Sequence, residues 1–551
     1  MESYLVAALS LCCLTAPSYG DKGTSKARSC SDIRQFYNGK GFPLDGVPLS
    51  EISGEHLRIC PQGYTCCTSD MEENLATLSR REIEGVLKDA GRSVQYSLTG
   101  LHKTFDGYFM ELLNHSAAVL HQHTSTWGSF YTQNSQVFSD LYTDLRLYYR
   151  GSNINLEDVL NDFWARLLER LFYQANRQYY VGDDYLECVS KQMETLRPFG
   201  DIPRDVKLKV TRTFLAGRSF VQGLFVSGEV VRKVSQVQLS PPCMRAIMRM
   251  TYCPHCRGVP SARPCVNYCI NVMKGCLANQ ADLNSEWRHL AETMIQVAER
   301  FNGPSGADVV LLSLPDQISE AVITMLENIE MVNGKLYQSC GNLRQAGSGA
   351  SDVDDLLKKA KLAREDQVVS SSSKVLDKMV SDITFRMRDM QPYWVSLPAM
   401  ICSDRVASGA GAEERCWNGM SRARYLPEVM SDGLASQINN PEVDIDITKP
   451  DMSIRQQIMQ LKVMTHRLKN AYNGNDVDFQ DTSDDASGSG SGMCTDEMCS
   501  RSPRIVIPVT TRPLVYNPPK EKKIWSRNSA MTPRPVVTIH LLSLLLWLLL
   551  R

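Results

Sequence analysis

The apolar residues that follow Cys67 recur every three or four positions. Leu75, Leu78, Val86, Val94, Leu98, Leu101, Phe105 and Leu112 keep that beat through a stretch free of cysteine and proline, which predicts one apolar face on a long helix. A second stripe, Leu156, Val159, Leu160, Phe163, Trp164, Leu167, Leu168, Leu171 and Phe172, follows a break and cap at Gly151-Ser152-Asn153. Further helices are expected at about 204–237, 279–301, 307–333, 374–391 and 453–472, punctuated by Gly, Pro and Asn. Strand-like alternation is confined to Val443-Asp444-Ile445-Asp446-Ile447-Thr448, which reads as a short strand stopped by Pro450. The expected fold class is all-α.

Two stretches break the helical pattern. After Cys340 the chain turns Gly-rich at Gly347-Ser348-Gly349-Ala350 and then charged and Ser-rich, so residues 341–373 read as a flexible loop in a helical core domain spanning 21–475. Its basic residues, Lys358-Lys359 and Lys361 to Arg364, would suit a proprotein convertase; the alternative is an exposed charged loop. Beyond Asn473-Gly474-Asn475 apolar periodicity ceases, and residues 476–528 read as a disordered stalk with Pro-rich, extended stretches.

The two ends are apolar. Leu5 to Ala16 has signal-peptide length, with small residues Ser18 and Gly20 placing the cut after residue 20 and the mature start at Asp21; a buried N-terminal helix is the alternative. At the other end Leu541 to Leu550 follows the polar spacer Met531 to His540 and the small triplet Asn528-Ser529-Ala530. That arrangement predicts a GPI-attachment signal at 529–551, with the lipid on Asn528, or on Ser526 as second choice, rather than a tail-anchored span. The protein is then expected on the extracellular face of the plasma membrane, held in the outer leaflet, and also released to the extracellular space.

Charge changes the picture little, since 60 basic and 61 acidic residues balance and give no reason to expect nucleic acid as a partner. Cysteine changes it more. Of 18 cysteines, Cys12 and Cys13 fall in the leader; 14 of the remainder lie between Cys30 and Cys416, and Cys494 and Cys499 lie in the stalk. Secretion makes disulfides their default state, although spacing alone leaves on the order of 100,000 pairings open. Cys253-Pro254-His255-Cys256 with Cys265 and Cys269 has the look of a zinc array, but the oxidising compartment favours disulfides, and neither metal nor cofactor is expected.

The sharpest chemical signal is Ser487-Gly488-Ser489-Gly490-Ser491-Gly492, preceded by Asp481, Asp484 and Asp485. Glycine beside each serine leaves the backbone pliable and unobstructed for a chain-initiating glycosyltransferase, so Ser487, Ser489 and Ser491 are the expected glycan acceptors; the alternative is a plain Gly-Ser linker. Asn114-His115-Ser116 is the only N-glycosylation sequon and falls within the first helical stretch. The chain carries no H-E-x-x-H, no phosphate-binding G-x-x-x-x-G-K-[ST] and no G-x-S-x-G, so no catalytic residues are assigned and it is not expected to be an enzyme.

Taken together, Ile59-Cys60-Pro61-Gln62-Gly63-Tyr64-Thr65-Cys66-Cys67, the 14 core cysteines, the Ser-Gly stalk and the anchor signal resemble the glypican family. So do Arg146-Leu147-Tyr148-Tyr149-Arg150-Gly151, Gly275 to Leu283, Cys416-Trp417-Asn418-Gly419 and Asn473 to Asp481. The resemblance implies an elongated helical ectodomain stapled by Cys30–Cys66, Cys60–Cys253, Cys67–Cys256, Cys188–Cys340, Cys243–Cys276, Cys265–Cys416 and Cys269–Cys402, with heparan sulfate on the three stalk serines. It further implies a co-receptor that concentrates heparin-binding growth factors and morphogens of the FGF, Wnt, Hedgehog and BMP classes near their receptors. The alternative is an ectodomain that binds protein ligands independently of its glycans.

Overall fold

The computed structural model describes residues 29–303, 305–345, 353–365, 373–403, 405–408 and 415–476. The expected signal peptide, the stalk beyond Asp476 with Cys494 and Cys499, and the anchor signal lie outside the described residues.

Helix α1 (Ser31–Gly39) precedes a two-residue antiparallel ladder, β1 (Ile52–Ser53) on β2 (Tyr64–Thr65). Helix α2 (Ser69–Ser125) then runs for 57 residues, about 85 Å at 1.5 Å per residue. Its start is set by Thr68, whose hydroxyl accepts from the Met71 N–H, with Asp70 and Glu72 at the positive end of the helix dipole. It stops before Gly128, which has φ +67° and opens α3 (Ser129–Tyr149). Helix α4 (Leu156–Ala175) is capped by Asn155, whose Oδ1 accepts from Glu157 N at 2.9 Å, and buries its stripe as expected, except that Val159 is half-buried.

After β3 (Tyr179–Tyr180), α5 (Asp183–Lys191) and α6 (Met193–Leu196) lead into α7 (Ile202–Val234), which begins with Pro203 in its first turn, where a missing N–H costs nothing. The cysteine-rich middle is cut into short pieces: α8 (Pro241–Thr251), α9 (Cys253–Cys256), α10 (Val266–Cys276) and α11 (Ala278–Ala281). Then come α12 (Asn284–Glu299), α13 (Ala307–Glu327) and α14 (Ile329–Cys340). The expected helix at 279–301 is thus broken at Asp282-Leu283, and that at 307–333 is broken at Asn328 and extended to Cys340.

The core forms where α7 packs on α2, α13 and α18 (Met452–Asn473), and α12 packs on α18, on α16 (Ser373–Met390) and on α17 (Tyr393–Ile401). Phe109 stacks on Tyr149 at 4.4 Å and meets Phe214 edge-on at 5.4 Å, while Phe105 joins Phe220 and Phe301, each at 4.8 Å. Gly217 admits this packing: a Cβ there would stand 2.9 Å from the Phe109 ring.

Two expectations are corrected. The loop expected over 341–373 contains β4 (Arg344–Gln345), paired with β3, and α15 (Val353–Glu365), packed on α13 and α2. Val353, Leu356 and Ala360 are buried, an apolar stripe concealed by charged neighbours such as Lys361, which pairs with Glu327 at 2.6 Å. The strand expected at 443–448 is not formed. Val443 alternates with its neighbours because it is buried against Gly275 of α10, not because it has a ladder partner.

Candidate functional site

Seven disulfides join Cys30–Cys66, Cys60–Cys253, Cys67–Cys256, Cys188–Cys340, Cys243–Cys276, Cys265–Cys416 and Cys269–Cys402, with Cα–Cα distances of 4.9 to 5.8 Å. These are the pairs implied by the resemblance. All four cysteines of the zinc-like array are consumed: Cys253 and Cys256 reach back across 193 and 189 residues to the N-terminal cluster, and Cys265 and Cys269 reach forward to Cys416 and Cys402. Thiolate coordination is therefore closed to them.

The N-terminal cluster is locked by groups that no motif announces. Glu72, in the first turn of α2, is buried and accepts three backbone N–H groups, from Arg58 at 2.9 Å, Ile59 at 2.9 Å and Cys60 at 2.8 Å. Thr65 Oγ1 donates to Cys256 O at 3.1 Å. His255, between the two cysteines of α9, stacks on Phe36 at 4.1 Å, and its Nδ1 is buried without a partner. Burial, and secondarily the Lys40 ammonium, push its imidazole down to about 4.

A second cysteine-tied region receives the irregular segment 415–451 on α10. Asn271 donates to Glu428 O at 2.8 Å and accepts from Met430 N at 2.8 Å, and Lys274 donates to Met430 O at 2.7 Å while facing Asp432 at 3.1 Å. Buried Trp417 donates its indole N–H to Arg249 O at 2.9 Å. Gly419, with φ +96°, passes so close to Tyr268 that a Cβ would lie 2.9 Å from its hydroxyl.

Asn114 stands exposed on α2, its Oδ1 accepting from Arg146 Nε at 3.1 Å. Its sequon partner Ser116 is fully buried and has a structural task. Pro315 lies inside α13 and has no N–H for the carbonyl four residues earlier, Leu311. Ser116 Oγ donates to that carbonyl at 2.5 Å and accepts from the Tyr142 hydroxyl at 2.6 Å.

The helical core ends at Gly474, whose φ of +85° lets its N–H and that of Asn475 return to Ala471 O and Asn470 O. Asp476 Oδ2 then accepts from the Tyr148 hydroxyl at 3.1 Å. Ser487, Ser489 and Ser491, the three expected glycan acceptors, lie beyond, outside the described residues, as do Ser526 and Asn528. Among the described residues there is no cluster of three His, Cys, Asp or Glu poised to hold a metal.

Comparison with known proteins places this architecture. The glypican family model matches residues 10–550. Glypican-1 of Gallus gallus is 54% identical over 506 residues, covering 91% of this chain and 91% of the relative. The crystal structure of C-terminally truncated glypican-1 superposes with a TM-score of 0.74 at 53% identity, covering 82% of this chain and 100% of that one. Dally-like protein, solved in complex with O-palmitoleoyl serine, gives 0.64 at 31% identity with the same coverages. With seven disulfides among its described residues, a helical core and a near full-length match, the chain belongs to the glypican family.

Proposed function

We propose that this protein is a cell-surface heparan sulfate proteoglycan that acts without catalysis, as a co-receptor for heparin-binding growth factors and morphogens. The observation that carries the reading is the triple Ser-Gly repeat behind an acidic run, placed just beyond a disulfide-tied helical core in a chain of this family. Heparan sulfate on Ser487, Ser489 and Ser491 supplies the negative charge that the near-neutral polypeptide lacks. Such a polyanion attracts Lys and Arg clusters over roughly a Debye length, about 8 Å at physiological salt. Many weak contacts along one sugar chain then add through effective concentration. Attachment to the outer leaflet through a lipid on Asn528, with Ser526 as second choice, keeps the captured ligand, a growth factor or morphogen of the FGF, Wnt, Hedgehog or BMP classes, near its receptors.

Gel mobility of the cell-expressed protein before and after heparin lyase tests this. A high-mass smear should collapse to a discrete core band, and a chain with all three serines changed to alanine should run as that band from the start. An unchanged sharp band would remove the glycan reading.

A second reading, that the helical core itself grips ligands, draws support from the lipid-modified serine held by the related Dally-like protein. Signalling activity retained by the triple-alanine chain would favour it.

A further inference from the structure

The last turn of α18 runs beside a groove of about 560 Å³ bounded by α7, the end of α12 and the start of α13. Its apolar side is made by Leu208, Phe301 and Val310, with Leu208 half exposed at 51%. Its rim is cationic, with Lys209, Arg212 and Arg300 all exposed. The one carboxylate among its described lining residues, Glu299, faces Arg388 at 3.7 Å. Neither Lys209 nor Arg212 forms an ion pair with another described residue.

Two of these cations touch the C-terminal end of the core. The Arg300 guanidinium stacks 3.6 Å from the Tyr472 ring centroid, and a Cβ on Gly474 would lie 3.4 Å from Arg212. Asp476, the first acid after the helix, is already seated against the core through the Tyr148 hydroxyl, on a ring that Arg218 covers at 4.7 Å. The chain then continues as Val477-Asp478-Phe479-Gln480-Asp481-Thr482-Ser483, which combines two carboxylates with an aromatic side chain. Seven residues span at most about 25 Å. A tether that short gives a local concentration on the order of millimolar, so weak pairing suffices.

We propose that residues 477–483 dock in this groove, Asp478 and Asp481 answering Lys209 and Arg212 and Phe479 covering the apolar floor. The chain thereby masks its own cationic groove. A sulfated sugar must compete with the acidic segment for the same side chains, so the core is shielded from polyanions.

Hydrogen exchange on the whole mature protein, trimmed with heparin lyase, tests this. Amides of 478–483 should exchange about 10-fold or more slowly than unstructured peptide rates. That protection should vanish at about 0.5 M salt and in a Lys209→Glu, Arg212→Glu chain. Adding Asp478→Lys and Asp481→Lys to that chain should restore it, and since Lys209 and Arg212 are exposed, reversing them spares the fold. In the parent chain added heparin should leave 208–212 unaltered, whereas in Asp478→Asn, Asp481→Asn it should slow exchange there. Unprotected 478–483 amides at low salt overturn the proposal, as does protection indifferent to charge reversal. Equal heparin protection of 208–212 in both chains would show that the groove is open to sulfated sugar, and the masking would fall.

Discussion

Phe109 sits among Phe105, Phe214 and Tyr149 on helices that carry no cysteine, whereas Cys67 sits where two-residue strands meet a four-residue helix. In the first region long apolar stripes bury enough surface to hold the helices, and the chain needs only a glycine, Gly217, to let a ring approach. In the second the elements are too short to bury much, and covalent links across nearly 200 residues supply what packing cannot. The contrast assigns hydrophobic packing to the helical body and restriction of the unfolded chain to the cysteine clusters.

The largest effects should come from breaking each region by its own means. Phe109→Ala should cost about 3–5 kcal/mol, as removal of a buried ring from a close-packed core does, and the loss should persist in reducing buffer. The Cys67→Ser, Cys256→Ser chain should also lose about 3–5 kcal/mol, but the difference from the parent should disappear once the parent is reduced. Denaturant unfolding of both variants, with and without reductant, checks the pair. Equal sensitivity to reductant would mean that the two regions are not held differently.

How much of this was visible in the residues follows the same division. The α4 stripe was legible because its periodicity and burial agree, with only Val159 partly exposed; the cap is Asn155, two residues past the expected Gly151-Ser152-Asn153, because its side chain is the one that reaches the first free N–H groups. The long helix was legible as a helix, yet Val86 in its stripe is 47% exposed, because a helix of this length changes neighbours along its course. Helix α15 was hidden by its charged residues, and the extended segment at Val443 imitated a strand. Burial against α10 gives period-two alternation whether or not a ladder is present. The anchors Glu72, Asn271 and Ser116 carried no local signal, since their partners lie 12 to 195 residues away. Cysteine pairing came from family resemblance, as spacing alone left it open.

Ser116 sharpens the comparison at one position, because the sequon and the packing make opposite demands on it. Ser116→Ala removes the N-glycan signal and also leaves Leu311 O without its donor, so it should cost about 2–3 kcal/mol. Asn114→Gln removes the same signal at an exposed site and should leave stability within about 0.5 kcal/mol. If thermal unfolding of enzymatically deglycosylated protein finds both variants equal to the parent, the serine does not serve the proline-freed carbonyl.

The smallest expected loss of stability lies in the N-terminal cluster and depends on pH. The folded state holds His255 neutral, with its imidazole near 4, while the unfolded chain takes up a proton near the ordinary histidine value of about 6.5. Stability from this group is therefore complete above about pH 6.5, falls as pH drops from 6.5 towards 4, and is flat below that. At pH 5 the loss should be about 1–2 kcal/mol relative to pH 7.5. The surroundings oppose protonation: Phe36 covers the ring and Lys40 adds like charge, while the Glu82 carboxylate is taken up by Lys40 at 2.8 Å and by the Tyr252 hydroxyl. His255→Phe keeps an aromatic stack without a titrating group, so its unfolding free energy should lose that part of the slope between pH 7.5 and 5. A variant that retains the whole slope would assign the acid sensitivity to other groups and leave the disulfides alone in holding this cluster.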